Sequence, residues 1–319
     1  MESKNFFFGF LEFLMKSITI ISKNGKLMAI VTSMYVIIAS LFFVLNISTI
    51  KPMIFDFVTK SMLLPSQDPQ GLVFAQVLNM IEKDFKTILG TELVYILAIS
   101  ITSLIAQNAI ILLIGASYKD EKISHINLIL KMPQSLTRMF ITSFHVTLLR
   151  VGFLYIGLFS IIVPTIVVSS HKIVSKVLLW VLMVLVVGLY LYLSVVWVMS
   201  LVVSVLEECS GVEALGRAER LVKGKKLEGF LLNLLLNVLS YGFVHWLFKM
   251  IVVKQSELTQ GLFLFFMMGF ICSIVMMEFQ AYTVLYFECK KNHGEEFELK
   301  GSVEYSEVPR EPVVGEDLP

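Results

Sequence analysis

Six stretches of this chain are too long and too apolar for a soluble fold: residues 27–49, 91–117, 139–168, 173–206, 228–252 and 261–288. Each is long enough to cross the ~30 Å hydrocarbon core of a bilayer as a helix rising about 1.5 Å per residue. Little room remains for anything else. In a chain of 319 residues, 56 % hydrophobic and only 16 % charged, a separate catalytic domain of about 100–150 residues does not fit beside six spans. A mean hydropathy of +0.81 belongs to the same class. The expected fold is an all-α integral membrane protein, a bundle of six transmembrane helices with short cytosolic amphipathic helices. The expected domains are an N-terminal amphipathic helix over 1–26, a membrane domain over 27–289 and an acidic, disordered cytosolic tail over 290–319.

Orientation follows from basic residues in the loops, because lysine and arginine accumulate on the cytosolic side. Lys4 to Lys26, Lys119 to Arg138, Arg217 to Lys226 and Lys290 onward fall on one side, and fewer lysines, among them Lys51, Lys60 and Lys83, on the other. Both termini are therefore expected in the cytosol. The N-terminal run carries Glu2 and Glu12 and no small-residue cleavage site, which makes a poor secretory signal. The cysteines Cys209, Cys272 and Cys289 are odd in number and lie in or beside apolar segments, so no disulfide framework is implied.

Three short amphipathic helices are expected on the basic side. The first places Phe7, Phe10, Leu11, Leu14, Ile18 and Ile21 on one face. The second runs from about Ser124 to Met132 and is stopped by Pro133. The third begins at an S-x-x-E capping box, Ser210 and Glu213, with Val212, Leu215, Ala218 and Val222 on one face, a Glu213–Arg217 pair at i,i+4 and Gly224 as its stop. Each leads into a pair of spans, so the chain reads as three helix-plus-hairpin units. On the opposite side, Phe74, Val77, Leu78, Ile81, Phe85 and Ile88 predict a further amphipathic helix resting on the outer leaflet or capping the bundle.

Polar residues inside the spans are the candidates for function. Counted from the basic edge, Arg150, Glu278, Gln107, Asn108 and Asn237 all lie roughly 15–17 Å deep. An arginine alone at that depth costs at least ~2.5–3.5 kcal/mol on insertion scales, and Glu278 is the intramembrane carboxylate placed to offset it. The layer reads either as a substrate or ion pathway or as interhelical polar glue, worth ~0.6 kcal/mol per hydrogen bond. A third reading starts the third span near His145 and lets Arg150 snorkel to the interface.

The basic cluster Arg217, Arg220, Lys223, Lys225 and Lys226 is placed to face lipid, attracting anionic headgroups at ~1 kcal/mol per charge. Cys209 and Cys289, at the cytosolic ends of spans, are candidate palmitoylation sites or inert thiols. Pro164 is expected to bend the third span. His145 and His245 stand singly, with no H-x-x-x-H or paired-cysteine pattern, so neither a metal nor another cofactor is expected. There is no G-x-S-x-G, Walker loop, H-E-x-x-H or intramembrane aspartate.

The stretch from Trp197 to Lys225 resembles a signature of uncharacterised plant multi-spanning transmembrane proteins. It is more distantly similar to the membrane domain fused to bacterial glycerophosphodiester phosphodiesterases. The residues that carry the resemblance are Val205, Glu207, Ala214, Arg217, Lys223, Gly224 and Lys225. It implies a plant endomembrane or plasma-membrane location and no established activity, the phosphodiesterase barrel having no counterpart here. The reading that follows is a non-catalytic membrane scaffold or adaptor, and the alternative is a transporter or channel with a polar midplane site. The expected partners are the lipid bilayer, anionic lipids and proteins reached through the cytosolic helices and tail; nothing points to nucleic acid.

Overall fold

The computed structural model describes residues 24–64, 71–119, 121, 125–167, 174–252 and 256–294. These form seven helices and no strand: α1 (Gly25–Leu63), α2 (Leu72–Tyr118), α3 (His125–Val167), α4 (Val174–Leu206), α5 (Gly211–Val222), α6 (Lys226–Val252) and α7 (Glu257–Asn292). All but α5 are long and apolar enough to cross a membrane, the signature of an integral membrane protein. The expected N-terminal amphipathic helix as far as residue 23 and the acidic tail from residue 295 lie outside the described residues.

Two expected breaks are absent. The outer amphipathic segment from Phe74 is the first half of α2, which runs unbroken for 47 residues. No proline interrupts the sequence between Leu72 and Tyr118, and Gly90 alone does not stop a helix flanked by good helix formers. Likewise Pro133 does not end a separate surface helix but sits within α3. It removes only one backbone bond, to the Ile129 carbonyl, at an exposed turn.

Consequently α1 and α2, of 39 and 47 residues, measure roughly 58 and 70 Å at 1.5 Å per residue, about twice a hydrocarbon core. They run together as a hairpin held by Asn46 Nδ2 to Glu92 Oε2 at 3.2 Å and by Lys60 Nζ to Asp84 Oδ2 at 2.7 Å.

The packed core lies at one end of the bundle, where α1, α3 and α6 begin and α2, α4 and α7 finish. On α2 every buried residue falls between Ala106 and Ser117. On α4 burial is concentrated from Leu191 onward, and on α7 from Cys272 to Cys289. Helix α7 is central, touching α1, α2, α4, α5 and α6. Close approach of α6 to α4 depends on Gly229, where a Cβ would stand 2.6 Å from Val195 Cγ1. Beside it Tyr282 Oη donates to Asn233 Oδ1 at 2.8 Å while Asn233 Nδ2 donates to Ser194 Oγ at 2.6 Å, joining α7, α6 and α4 through buried side chains.

Short helix α5 seals this end. Its Ser210 N-cap is extended, but the serine side chain accepts no capping bond, unlike the expected box. The buried face is Ala214, Ala218, Leu221 and Val222, and Val212, expected on it, is 68 % exposed. The helix is therefore rotated so that this face meets α3 and α4. Gly224, with φ of 103°, ends it as anticipated.

Candidate functional site

Just beyond the packed end a cavity of about 440 Å³ opens among α1, α2, α3, α4 and α7. Its polar lining comes from stripes with helical spacing: Ser100, Ser103 and Gln107 on α2, and Ser143, Thr147 and Arg150 on α3. Tyr35 on α1 and Cys272 and Glu278 on α7 complete it. Tyr35 Oη donates to Ser103 Oγ at 3.2 Å and Gln107 Nε2 donates to the same oxygen at 2.7 Å, which fixes both side chains against the wall.

The two charges in the cavity are not joined. Arg150 and Glu278 are close enough to act on one another electrostatically, yet no ion pair within 4 Å links them, and the buried Arg150 Nε has no hydrogen-bond partner. Nor does Arg150 reach the packed end. Arg138, three turns earlier on α3, already contacts the Ser204 carbonyl there at 3.2 Å, leaving Arg150 about 18 Å higher.

Of the polar layer expected from depth, Arg150, Glu278 and Gln107 share the cavity. Asn108 and Asn237 do not line it. Asn108 is buried against α3, where its Oδ1 accepts from Ser135 Oγ at 3.0 Å. Asn237 is exposed on α6, and its amide donates back to the Asn233 carbonyl at 2.7 Å. Depth along a helix sets the level of a side chain and leaves its direction open. The hydroxyl residues, missed by counting depth alone, were signalled by i, i+3 or i+4, i+7 polar spacing on α2 and α3.

A second polar assembly occupies the packed end. Glu207, following α4, accepts from Tyr286 Oη at 2.8 Å and from Arg217 Nε at 3.1 Å, with Lys290 Nζ at 3.7 Å. Lys225 Nζ bridges Glu228 at 3.3 Å and Glu288 at 3.2 Å. Lys226 lies over the Tyr192 ring, whereas Arg220 and Lys223 are exposed. Of the two candidate acylation sites, Cys289 is buried and Cys209 partly so. His145 Nδ1 contacts the Ile141 carbonyl and His245 stacks on Tyr241.

A protein-family model described as a domain of unknown function (DUF8558) matches residues 2–308. The chain belongs to that family. No curated protein and no solved structure matches it. The DUF8558 match spans both polar assemblies. In structural terms the two differ: Glu207 is engaged by Tyr286, Arg217 and Lys290, whereas in the cavity the buried Arg150 Nε has no hydrogen-bond partner.

Proposed function

We propose that this protein is a non-catalytic membrane transporter whose substrate site is the cavity lined by Gln107, Arg150 and Glu278. The observation that carries the proposal is the unpaired state of Arg150 and Glu278 in a shared cavity. Polar glue is expected to close into direct hydrogen bonds, as Ser194, Asn233 and Tyr282 do. A guanidinium held in an apolar bundle with an orphaned Nε instead offers its bonding capacity to a ligand. The distribution of lysine and arginine supports placing the packed end in the cytosol, and the resemblance from Trp197 to Lys225 favours a plant endomembrane or plasma membrane.

The test is accessibility. In a chain lacking Cys209, Cys272 and Cys289, Thr147→Cys in the cavity wall should react with a small membrane-permeant maleimide, the polar cavity favouring its thiolate, and Leu154→Cys, exposed on α3 outside it, should not. Equal protection of both would remove the reading. The scaffold alternative draws on the length of the α1–α2 hairpin and on exposed Phe55 and Leu72 near its tip. It predicts protein crosslinks from that tip that survive Arg150→Ala unchanged.

A further inference from the structure

The cavity has a side entrance, and the chemistry around it restricts what enters. Of the residues that line it, Ser100 on α2 and Thr147 on α3 are exposed, and the rest are buried or half-buried. The mouth thus lies between α2 and α3. Its rim is apolar: Leu97 and Ile101 flank Ser100 on α2, and Phe144, Leu148 and Val151 flank Thr147 on α3, all exposed. If these helices span a bilayer, such a rim faces acyl chains. A freely soluble ion would have no aqueous approach through it, whereas a lipid could insert its headgroup and leave its chains outside.

Inside, the cavity offers one cation and one anion that are not paired with each other, together with hydroxyl and amide groups. A headgroup bearing a single net charge would satisfy one of them and leave the other facing an empty, desolvated site. A zwitterion with a phosphodiester and a primary ammonium satisfies both: the phosphate accepts from Arg150, including its free Nε, and the ammonium donates to Glu278. The lining is only sparsely aromatic, Tyr35 and Phe279 being its rings, and so lacks the cage that a quaternary ammonium prefers. The volume lies within the usual range for small-ligand sites, about 300–1,000 Å³.

We infer that the substrate is a zwitterionic aminophospholipid of the ethanolamine type, admitted sideways between α2 and α3 and held head-first between Arg150 and Glu278. This rests on the transport reading above and narrows it to a lipid class and a route. Loss of either charge removes a charge-assisted contact, and blocking the mouth at Ser100 acts without touching the charges or the core.

The experiment reconstitutes the full chain into phosphatidylcholine vesicles carrying trace phospholipid labelled on an acyl chain, and follows dithionite bleaching of inner-leaflet label. Phosphatidylethanolamine is expected to cross between leaflets faster with the protein than without, and faster than phosphatidylglycerol. Arg150→Gln, Glu278→Gln and Ser100→Trp should each slow it about tenfold, the loss expected for roughly 1.4 kcal/mol. Thermal melting in detergent checks that the variants fold; Ser100→Trp, at an exposed position, keeps the test open if a charge variant does not. Phosphatidylglycerol crossing as fast as phosphatidylethanolamine would overturn the headgroup assignment, and insensitivity to Ser100→Trp would overturn the side entrance. Protein-dependent uptake of free phosphoethanolamine without lipid movement would overturn the inference and leave transport standing. Movement of neither would remove both.

Discussion

At the residue scale, two groups outside the spans report on the packed end. Burial, and then the carboxylates of Glu207 and Glu213, push the Cys209 thiol above its ordinary value of 9.0, against weaker opposing pulls from Arg217 and Arg138. A raised thiol stays protonated through neutral pH, so alkylation by iodoacetamide, and enzymatic acylation through the thiolate, should be slow at pH 7. Mass spectrometry of the modified peptide should show the rate still climbing above pH 9, with Glu207→Gln moving the rise to lower pH; a plateau already at pH 7 contradicts this. For Lys225, burial pulls the ammonium down but Glu228 and Glu288 together outweigh it, and the group ends above 10.5. A folded-state value raised above the unfolded one contributes stability that is complete below about 10.5 and is lost as pH climbs through the folded value. Melting of the detergent-solubilised protein should therefore weaken in that alkaline window, and Lys225→Met should flatten the dependence. Glu288→Ala should cost about 1–2 kcal/mol at neutral pH. Neither network was legible in the sequence, where Glu207 marked only the end of a span and Arg217 paired by spacing with Glu213. A contact across helices outcompetes what i,i+4 arithmetic offers, because the interhelical carboxylate is half-buried and its bonds are less screened.

Among elements, the packing of α6 onto α4 and α7 gives the sharpest expectations. Gly229→Ala places a methyl 2.6 Å from Val195 Cγ1, and Val195 is fully buried. Helix α6 must then move outward, at about 1–3 kcal/mol. Asn233→Ala removes one bond each from Tyr282 and Ser194, which keep only the Gly229 and Leu191 carbonyls, costing about 1–3 kcal/mol for the two. Thermal or denaturant unfolding in one detergent measures both, and an unshifted midpoint for either would contradict the assigned contacts. The sequence told the helices apart by their apolar runs, since nothing polar interrupts a span for long. Their ends were less readable. The hydrophobic run marks where a helix meets hydrocarbon, but α2 begins well before that point with no proline to interrupt it, and α1 continues past it through Pro52, which costs a helix a single backbone bond. Asn233 lies one turn before the Asn237 that depth singled out, and only the rotation of α6 decides which of them meets α4.

On the scale of the whole molecule, the basic end and the α1–α2 tip must face opposite compartments if the six long helices cross a bilayer. In sealed, oriented vesicles, Lys223→Cys should react with an impermeant maleimide from one side only and Phe55→Cys only from the opposite side; labelling of both from one side would refute the arrangement. The gathering of Arg150, Glu278 and Gln107 at one level could be counted from the sequence, whereas the void between them could not. It is bounded by five helices together, a consequence of their mutual packing rather than of any one segment.

The one-sided core also makes α2 a cantilever. Its buried residues all lie between Ala106 and Ser117, so the preceding 34 residues, from Leu72 to Ile105, form a beam clamped at one end and propped along α1. Ser100 and Ser103, which wall the cavity, sit within a turn or two of the clamp. Deflecting the distant tip would bend the beam most sharply near that clamp, so a load applied outside the bilayer changes the width of the gap between α2 and α3 without any contact to the cavity itself.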